Sequence, residues 1–306
     1  MSPGEIRVGV AGWSYPDWEG VVYPGVKPRG FDPLRYLAGY FDCLEVNSTF
    51  YRIPPPRMAE RWFRAVEDRP RFRFTAKAWE GFTHGAEGEW TEADANAFRE
   101  AVEPLRAAGR LGAVVFQFPW HFARHPETES KLSRLVDTFG ALPLVLEVRH
   151  ASWVEEEGMR RIAALGLSLC NIDQPLARTS IRPASHVTGR LGYVRLHGRN
   201  YAAWFSREAG RDEKYDYLYD EAEEEEWVGR TRAIAERAEE TYLVANNHFR
   251  GQAPANALSI RAKLEGRKVA VPPPLLVAFE RLRSIAAPGG AEPPAPPSGP
   301  ERGLFD

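Results

Sequence analysis

Two charged side chains leave an apolar run of the chain on the same face. Residues 144–150 read Leu-Val-Leu-Glu-Val-Arg-His, a β-type pattern in which Glu147 and Arg149 are two positions apart. Side chains at positions i and i+2 of a strand point to the same side of the sheet. A carboxylate and a guanidinium on one face can pair with each other or polarise a bound ligand. This strand end is therefore the first candidate for a functional site.

Polar residues end five further β-type runs in the same way. They are Glu45, Asn47, Lys77, Gln117, Asn171, Asp173, Arg195, His197 and Arg199. Strand alternation then puts apolar residues such as Val46, Leu146 and Ile172 on the opposite face. In a closed barrel one face meets the helices, so we expect the polar set to face the axis. Burying an ion without a partner costs several kcal/mol, so polar side chains inside a barrel need a reason to be there. Because the set is so large, we favour a ligand site over internal ion pairs as that reason.

The candidate catalytic residues are Glu147, Lys77, Glu45, Asp173 and His197. Glu147 and Glu45 are carboxylates suited to acid–base chemistry. Lys77 would act as a base or a nucleophile if nearby cations lower its pKa. An ion pair with Glu147 would instead make Lys77 an electrostatic clamp, the role that we favour. His197 fits three roles equally well: a general acid, a metal ligand and a hydrogen-bonded core histidine.

The charge balance at these strand ends favours an anionic ligand. The cations Lys77, Arg149, Arg195 and Arg199 stand against the carboxylates of Glu45, Glu147 and Asp173. Arginine binds phosphate and carboxylate through two parallel hydrogen bonds, so Arg149 and Arg199 are predicted to clamp the anion. Arg195 is predicted to be a deeper, structural partner of a carboxylate. The remaining candidate substrate-binding residues are Asn47, Tyr51, Gln117, Asn247, Trp13 and His84.

Three functions are compatible with this set of residues. We favour an enzyme, a hydrolase, lyase or isomerase, that performs acid–base chemistry on a small anionic substrate without a metal or another cofactor. The second is a phosphodiesterase or sugar isomerase that uses Mn²⁺, Zn²⁺ or Mg²⁺. Its ligands would be Glu45, Glu147, Asp173 and His197, although the sequence has no HxH or HExxH spacing. The third binds a nucleotide or single-stranded nucleic acid without turnover, through aromatic loop residues and the arginines.

The composition is typical of a cytoplasmic protein. The chain has 306 residues, 43% of them hydrophobic, and its formal charge of −2 does not support a globally basic nucleic-acid surface. Its two cysteines, Cys43 and Cys170, lie inside apolar runs, which argues against a disulfide framework. No apolar stretch is long enough to span a bilayer, and the N-terminus lacks the pattern of a signal peptide. We therefore expect a soluble protein without a membrane partner.

Eight strand-like runs alternate with helix-like stretches. Strands are predicted at 6–12, 43–47, 72–78, 113–118, 144–148, 167–172, 193–197 and 242–246. Helices are predicted at 33–40, 56–67, 92–108, 127–139, 155–165, 225–239 and 253–265. Thr91 is a predicted helix N-cap, and Gly109, Gly140, Gly166 and Gly266 are predicted to end helices. This alternation implies right-handed βαβ units and a parallel sheet.

Eight such units match a closed (β/α)₈ barrel of the TIM type. An open doubly wound sheet is the alternative, but it normally carries a glycine-rich phosphate turn where this chain reads Gly12-Trp13-Ser14-Tyr15-Pro16. We predict an α/β protein with a single barrel domain, residues 1–285, and long loops at the C-terminal strand ends. Residues 286–306 are rich in Pro and Gly and are predicted to be a disordered tail. The long segment 199–224 is predicted to be a lid or a partner surface.

Several motifs resemble those of the YecE-like family, also called domain of unknown function 72. They are Gly12-Trp13-Ser14-Tyr15, Glu45-Val46-Asn47-Ser48-Thr49-Phe50-Tyr51, Phe72-Arg73-Phe74-Thr75-Ala76-Lys77-Ala78, Phe116-Gln117-Phe118-Pro119, Glu147-Val148-Arg149-His150-Ala151-Ser152-Trp153, Asp173-Gln174-Pro175, Tyr193-Val194-Arg195-Leu196-His197-Gly198-Arg199 and Asn246-Asn247-His248. The resemblance covers residues 5–285 and implies a TIM-type barrel with a common site at the matching positions. It implies no reaction. One departure is Trp120, where the family often has a second proline, and this affects loop shape more than chemistry.

Overall fold

Eight parallel strands follow the predicted apolar runs and close into a barrel. In the computed structural model they are β1 (Glu5–Ala11), β2 (Cys43–Val46), β3 (Arg73–Lys77), β4 (Leu111–Gln117), β5 (Leu144–Glu147), β6 (Ser168–Asp173), β7 (Leu191–Leu196) and β8 (Glu240–Ala245). Each strand pairs with the next in the chain, and β8 pairs with β1. The structure describes residues 3–85, 90–206 and 208–288. The predicted (β/α)₈ barrel is confirmed.

Helices connect the strands and cover the barrel. They are α1 (Pro33–Leu37), α2 (Ser48–Tyr51), α3 (Pro56–Ala65), α4 (Glu80–Thr83), α5 (Glu92–Ala107), α6 (Pro126–Phe139), α7 (Glu156–Ala164), α8 (Tyr201–Trp204), α9 (Arg211–Lys214), α10 (Glu221–Ala235), α11 (Gln252–Glu265) and α12 (Pro273–Ala278). All seven predicted helices are present. The short helices of four residues, including α2 directly after Asn47, lie in the loops at the C-terminal strand ends. No helix among the described residues combines the length and apolarity needed to cross a membrane.

Local sequence signals set the ends of these helices. Thr91 accepts a hydrogen bond from the Asp94 amide at 3.2 Å, and the Asp94 carboxylate accepts one from the Thr91 amide at 2.8 Å, forming a capping box at α5. The same device caps α10 at Asp220, so the helix begins at Glu221, four residues before the predicted start. Gly109 follows α5 with a φ of 66°, a left-handed conformation that glycine adopts without strain. Capping therefore fixes where α5 and α10 begin and where α5 ends.

Two apolar layers lie on the two faces of the barrel wall. The outward layer packs against the helices and contains Val10, Val46, Phe74, Phe116, Leu146, Val194 and Leu243, among others. The inward layer fills the lower barrel with Ala11, Cys43, Ala113, Val115, Val145, Cys170, Ile172, Leu191, Tyr193, Tyr242 and Val244. Ile172 thus faces the axis, and its predicted outward position is wrong. The predicted absence of a disulfide is confirmed, because Cys43 and Cys170 are both free thiols.

Residues 174–190, between β6 and β7, contain no helix, as expected from their sequence. This segment runs against the end of β5. The Ile181 amide donates to the Arg149 carbonyl at 2.9 Å, and the Ala151 amide donates to the Thr179 carbonyl at 2.8 Å. The backbone around Arg149 is therefore held in place by the loop that follows the next strand.

The structure describes the first residues of the predicted tail, as far as residue 288. The Ala287 amide donates to the Val269 carbonyl at 2.8 Å, which ties the end of the barrel domain to the segment after α11. Most of the predicted disordered tail lies outside the described residues, so it stays a prediction.

Candidate active site at the barrel mouth

A cavity of about 420 Å³ opens at the C-terminal ends of the strands. Its described lining consists of Gly12, Trp13, Ser14, Tyr15, Asn47, Ser48, Tyr51, Met58, Trp62, Lys77, Arg195, Tyr215, Asn246 and His248. These residues follow or end β1, β2, β3, β7 and β8, where barrel enzymes carry their active sites. Four predicted site residues, Trp13, Asn47, Tyr51 and Lys77, are among them. The described lining includes two cations, Lys77 and Arg195, and no carboxylate.

Arg195 is the centre of a buried polar cluster at the base of this cavity. Its guanidinium is fully buried and donates to three acceptors on the opposite side of the barrel. Nη2 donates to Glu45 Oε1 at 2.6 Å, and Nη1 donates to Gln117 Oε1 at 2.8 Å and to Glu147 Oε2. The prediction that Arg195 is a structural partner of a carboxylate describes these contacts correctly. It pairs with two carboxylates rather than one.

The carboxylate of Glu147 is surrounded by cationic and polar groups. Oε2 accepts from Arg195, and Oε1 accepts from Arg149 Nη2 at 3.1 Å. His197 Nε2 lies 3.3 Å from the same Oε1. Burial alone would raise the pKa of this carboxyl, but the charge of Arg195, the contact with His197 and the charge of Arg149 hold it well below its usual range. Glu147 therefore stays ionised and does not carry a proton near neutral pH.

Glu45 is held from two sides on the neighbouring part of the barrel interior. Arg195 binds one carboxylate oxygen, and the Tyr193 hydroxyl lies 3.0 Å from the other. The same hydroxyl is 2.8 Å from Thr75 Oγ1. Burial, followed by the charge of Glu45, raises the pKa of Tyr193 well above its usual value. Tyr193 therefore contacts the second oxygen of this carboxylate, and Thr75 contacts the Tyr193 hydroxyl; neither was predicted as a site residue.

His197 is a neutral, hydrogen-bonded histidine. Its Nδ1 lies 3.0 Å from Asn246 Nδ2, so an amide donor there leaves the ring proton on Nε2, beside Glu147. Burial lowers the pKa of His197 to about 4, even though Glu147 acts in the opposite direction. Trp204 and Tyr215 cover the ring, each with its centroid 6.3 Å away. Of the three predicted roles, the hydrogen-bonded histidine fits these contacts best.

Lys77 differs from the other charged groups because none of the ion pairs among the described residues includes it. Only 8% of the residue is exposed, and Nζ lies 3.7 Å from the centroid of the Phe50 ring. Burial and the nearby Arg195 charge lower the pKa of Lys77 to about 7, against the opposing effect of Glu45 and Glu147. The predicted clamp, a Lys77–Glu147 ion pair, is wrong because Arg195 and Arg149 occupy that carboxylate.

Arg149 and Gln117 lie behind the cavity lining. Arg149 donates to Glu147, and its guanidinium lies 5.7 Å from the centroid of the Trp204 ring. The Gln117 side chain accepts from Arg195. Both belong to the cluster, as the alternation of β4 and β5 predicts, and the structure gives them protein partners at these positions.

The structure places Asp173 and Arg199 on the other side of the barrel wall. Arg199 Nε donates to Asp173 Oδ2 at 2.8 Å, Nη1 donates to Glu223 Oε1 at 3.0 Å, and Nη2 donates to Glu226 Oε2 at 3.2 Å. Burial raises the pKa of Asp173, while Arg199, Tyr219 and Trp227 oppose that rise. The predicted axis-facing positions of Asp173 and Arg199 are therefore wrong, and both side chains have protein partners on the outer side.

Strand geometry explains these two errors. Ile172 faces the axis, so its neighbours Asn171 and Asp173 face outward. Their polarity is satisfied there: the Asn171 amide donates to the His186 carbonyl at 2.9 Å. Beyond β7, Gly198 has a φ of 92°, which ends the extended conformation before Arg199. Alternation along the strand does not continue past that turn.

Asn247 and His84 also lie apart from the cavity. The Asn247 amide donates to the Tyr217 carbonyl at 2.7 Å and to Asn256 Oδ1 at 2.9 Å, so it joins the loop to α11. The preceding residue, Asn246, lines the cavity instead, because it lies two residues after Val244 and four after Tyr242, which also face inward. Strand alternation in the sequence could have predicted this. His84 is exposed and lines a second hollow of about 390 Å³ that also includes Lys131.

The ligand set of the predicted metal site is divided. Arg195 binds the carboxylates of Glu45 and Glu147, and Asp173 lies outside the barrel wall. Within residues 3–85, 90–206 and 208–288, no three or more His, Cys, Asp or Glu side chains are grouped to hold a metal ion. The four residues Glu45, Glu147, Asp173 and His197 therefore do not form the divalent-metal site of the second hypothesis.

The site can now be compared with known proteins. The family described as "Protein of unknown function DUF72" matches residues 7–277 of the chain. The chain belongs to the DUF72 family. The match confirms the YecE-like resemblance and includes every strand from β2 to β8, together with all residues that line the cavity.

Two curated relatives and two solved structures are similar to this DUF72 protein. UPF0759 protein YunF of Bacillus subtilis (strain 168) is 28% identical over 82% of this chain and 92% of YunF. UPF0759 protein YecE of Escherichia coli (strain K12) is 27% identical over 51% of this chain and 64% of YecE. The DUF72 protein TM1631 of Thermotoga maritima MSB8 is 33% identical, with a TM-score of 0.77 over 85% of this chain and 99% of TM1631. The DUF72 protein EF0366 of Enterococcus faecalis V583 is 26% identical, with a TM-score of 0.75 over 85% of this chain and 95% of EF0366.

Proposed function

We propose that this DUF72 protein is an enzyme that performs acid–base chemistry on a small anionic substrate bound in the mouth cavity. Lys77 transfers the proton. The observation that carries the proposal is the position of Lys77, a buried amine on the cavity wall with no carboxylate partner among the described residues. An acid–base group is most effective when its pKa is close to the working pH, and the pKa of Lys77 is about 7.

In this proposal Glu147 does not transfer the proton, although its position in the sequence suggested that role. A base must accept a proton near the working pH, and Arg195 and Arg149 hold the pKa of Glu147 well below its usual range. Glu147 and Glu45 instead fix the Arg195 guanidinium, one on each side. They neutralise Arg195 and keep it oriented, and they leave Lys77 as the titrating amine of the cluster.

The described lining of the cavity supports an anionic substrate with an apolar or ring-shaped part. The protonated fraction of Lys77 supplies positive charge, and no carboxylate among the described lining residues opposes an anion. Trp13 and Trp62 meet edge to face at 6.0 Å on the cavity wall and offer an apolar surface. Asn47 and Asn246 add amide groups that can orient a ligand. A small phosphate or carboxylate compound fits this combination.

The proposal is tested with a library of phosphorylated and carboxylated metabolites. Substrate loss is followed by mass spectrometry for the wild type, Lys77→Met and Lys131→Met. Lys131 is the matched control because it is a half-buried lysine whose pKa is also lowered by burial, but it lines the separate hollow. We expect Lys77→Met to lower turnover by about 10²–10⁴-fold and Lys131→Met to leave it unchanged. Turnover that survives in Lys77→Met would exclude Lys77 as the proton-transfer group.

The aromatic lining favours one second candidate, a nucleotide-binding protein without turnover. Tyr15, Tyr51 and Tyr215 line the same cavity as the two tryptophans, and aromatic rings can stack on a base. The same library separates the two functions. Nucleotides that raise the melting temperature while no compound is consumed would support the binding protein and contradict the enzyme.

A further inference from the structure

The position of Lys77 fits a nucleophile as well as a base. We propose that Lys77 forms an imine with a carbonyl group of the substrate, so that the substrate is an aldehyde or ketone that also bears a carboxylate or phosphate. This inference rests on the proposed function and narrows its substrate class. It uses the same cavity but adds a covalent bond between the protein and its ligand.

The surroundings of the amine favour this step. Imine formation requires an unprotonated lone pair, and a carboxylate partner would hold the proton on the amine. Both carboxylates of the cluster are bound by Arg195, and the Lys77 amine instead lies over the Phe50 ring at 3.7 Å. A ring face attracts an ammonium only weakly compared with a carboxylate. Burial and the Arg195 charge then favour the neutral amine.

Groups that can stabilise the adduct lie next to Lys77. The pairing of Val46 with Ala76 places Asn47 beside Lys77 at the ends of neighbouring strands. Asn47 Oδ1 is buried and has no hydrogen-bond partner among the described residues, although the side chain lines the cavity. An unpaired buried acceptor of this kind costs free energy until a donor binds to it. The hydroxyl of a carbinolamine is such a donor. Ser48, the residue after Asn47, also lines the cavity.

The reaction balances without any oxidant, reductant or metal. The lone pair of Lys77 Nζ attacks the carbonyl carbon, the carbonyl oxygen takes up a proton, and the nitrogen loses one, which gives a carbinolamine. The C–O bond then breaks, the hydroxyl leaves with a proton as water, and the nitrogen lone pair forms the C=N bond. One neutral amine, one carbonyl compound and one proton from solvent give one iminium ion and one water, and loss of the N–H proton gives the neutral imine. The resulting iminium withdraws electrons from the adjacent carbon and makes its C–H bond more acidic. While the imine exists, the Lys77 nitrogen therefore acts by withdrawing electrons and not by accepting the proton.

The test is reductive trapping with small carbonyl probes. The wild type is incubated at pH 7 with sodium cyanoborohydride and either pyruvate, a ketone with a carboxylate, or hydroxyacetone, a neutral ketone of similar size. Intact-protein mass spectrometry counts the adducts, and peptide mapping locates them. Lys77→Arg and Lys77→Met remove the amine, Lys131→Met is the matched control, and circular dichroism verifies that each variant is folded.

We expect a single adduct on Lys77 with pyruvate in the wild type and in Lys131→Met. With a pKa of about 7 against about 10.4 for an ordinary lysine, Lys77 has an approximately thousandfold larger neutral fraction at pH 7. Pyruvate should label it roughly tenfold or more faster than hydroxyacetone, because Lys77 is partly protonated at pH 7 and no carboxylate among the described lining residues repels an anion. Labelling distributed over exposed lysines, or an unlabelled Lys77 in a folded wild type, would overturn the imine.

The two proposals fail in different ways. If Lys77 is not trapped but Lys77→Met abolishes turnover of an anionic metabolite, the imine is wrong and the acid–base function stands. If Lys77 is trapped but pyruvate labels it no faster than hydroxyacetone does, the prediction that the substrate is an anion is wrong. If Lys77 is not trapped and turnover survives in Lys77→Met, both proposals are wrong.

Discussion

Arg195 and Arg199 each pair with more than one carboxylate, yet they lie on opposite sides of the barrel wall. Arg195 is fully buried between Glu45 and Glu147 inside the barrel. Arg199 is 21% exposed and binds Asp173 at the end of β6 together with Glu223 and Glu226 of α10. In the sequence the two arginines are four residues apart and look equivalent. Only the inner one reaches the cavity.

The difference shows how similar charge clusters can serve different ends. The outer cluster joins a strand end to a covering helix, and its charges compensate one another near solvent. The inner cluster also compensates its own charges, but within the barrel this leaves the Lys77 amine in a buried position without a counter-ion among the described residues. The pairing of Arg195 with both carboxylates is therefore what leaves Lys77 without an ion-pair partner among the described residues.

The largest effect is expected from Arg195→Leu. The substitution leaves Glu45 and Glu147 buried without their main partner, and breaking a buried ion pair in this way costs about 3–5 kcal/mol. Urea unfolding measures the change in the free energy of unfolding. A loss below about 1 kcal/mol would mean that the inner cluster is hydrated or rearranged, contrary to this account.

A smaller, pH-dependent effect is expected from Lys77→Met. The folded-state pKa of Lys77 is about 7, whereas an unfolded lysine titrates at about 10.4. Between these values the unfolded chain binds more protons, so the stability contributed by Lys77 rises with pH, by at most about 1.4 kcal/mol per pH unit. Below pH 7 the contribution is constant.

The measurement is the difference in free energy of unfolding between wild type and Lys77→Met at pH 7, 8 and 9. The free energy of unfolding of the wild type should increase relative to that of the variant at each step in pH. A difference that does not change with pH would show that Lys77 titrates as an ordinary lysine. Lys131→Met provides the comparison with a half-buried lysine outside the cavity.

The smallest effect is expected from Arg199→Leu in the outer cluster. Arg199 is partly exposed, and Asp173 can take up a proton because burial already raises its pKa. The loss of stability should be about 1–2 kcal/mol, in the lower part of the range of about 1–3 kcal/mol for leaving a buried hydrogen-bonding group unsatisfied. Turnover and the pKa of Lys77 should stay unchanged. A shift of that pKa in Arg199→Leu would mean that the two clusters are not independent.

The fold could be predicted from the sequence because its signals are local and repeated. Each strand is an apolar run, and helix ends carry recognisable caps such as Thr91 and Gly109. Inward positions on β2, β3, β4, β5 and β7 were also predictable, because there polar and apolar residues alternate cleanly. Glu45, Lys77, Gln117, Glu147 and Arg195 all face inward as expected.

The errors arose where polarity does not report the direction of a side chain. On β6 the inward residues are the apolar Cys170 and Ile172, and the outward Asp173 is compensated by a distant arginine. The pairing of charges was equally unreadable, because which cation reaches Glu147 depends on distances across the barrel. The sequence therefore indicated a Lys77–Glu147 ion pair where the structure has Arg195 and Arg149.

The most direct test of the central claim is the pKa of Lys77 in the folded protein. Lysines are labelled by reductive methylation with ¹³C-formaldehyde, each signal is followed by NMR from pH 5 to 11, and the Lys77→Arg spectrum assigns the signal of interest. The account predicts a midpoint close to the value of about 7 for Lys77 and ordinary midpoints near 10.4 for exposed lysines. A Lys77 midpoint of about 10 or above would show that the amine is protonated at neutral pH, which would contradict its role as the base.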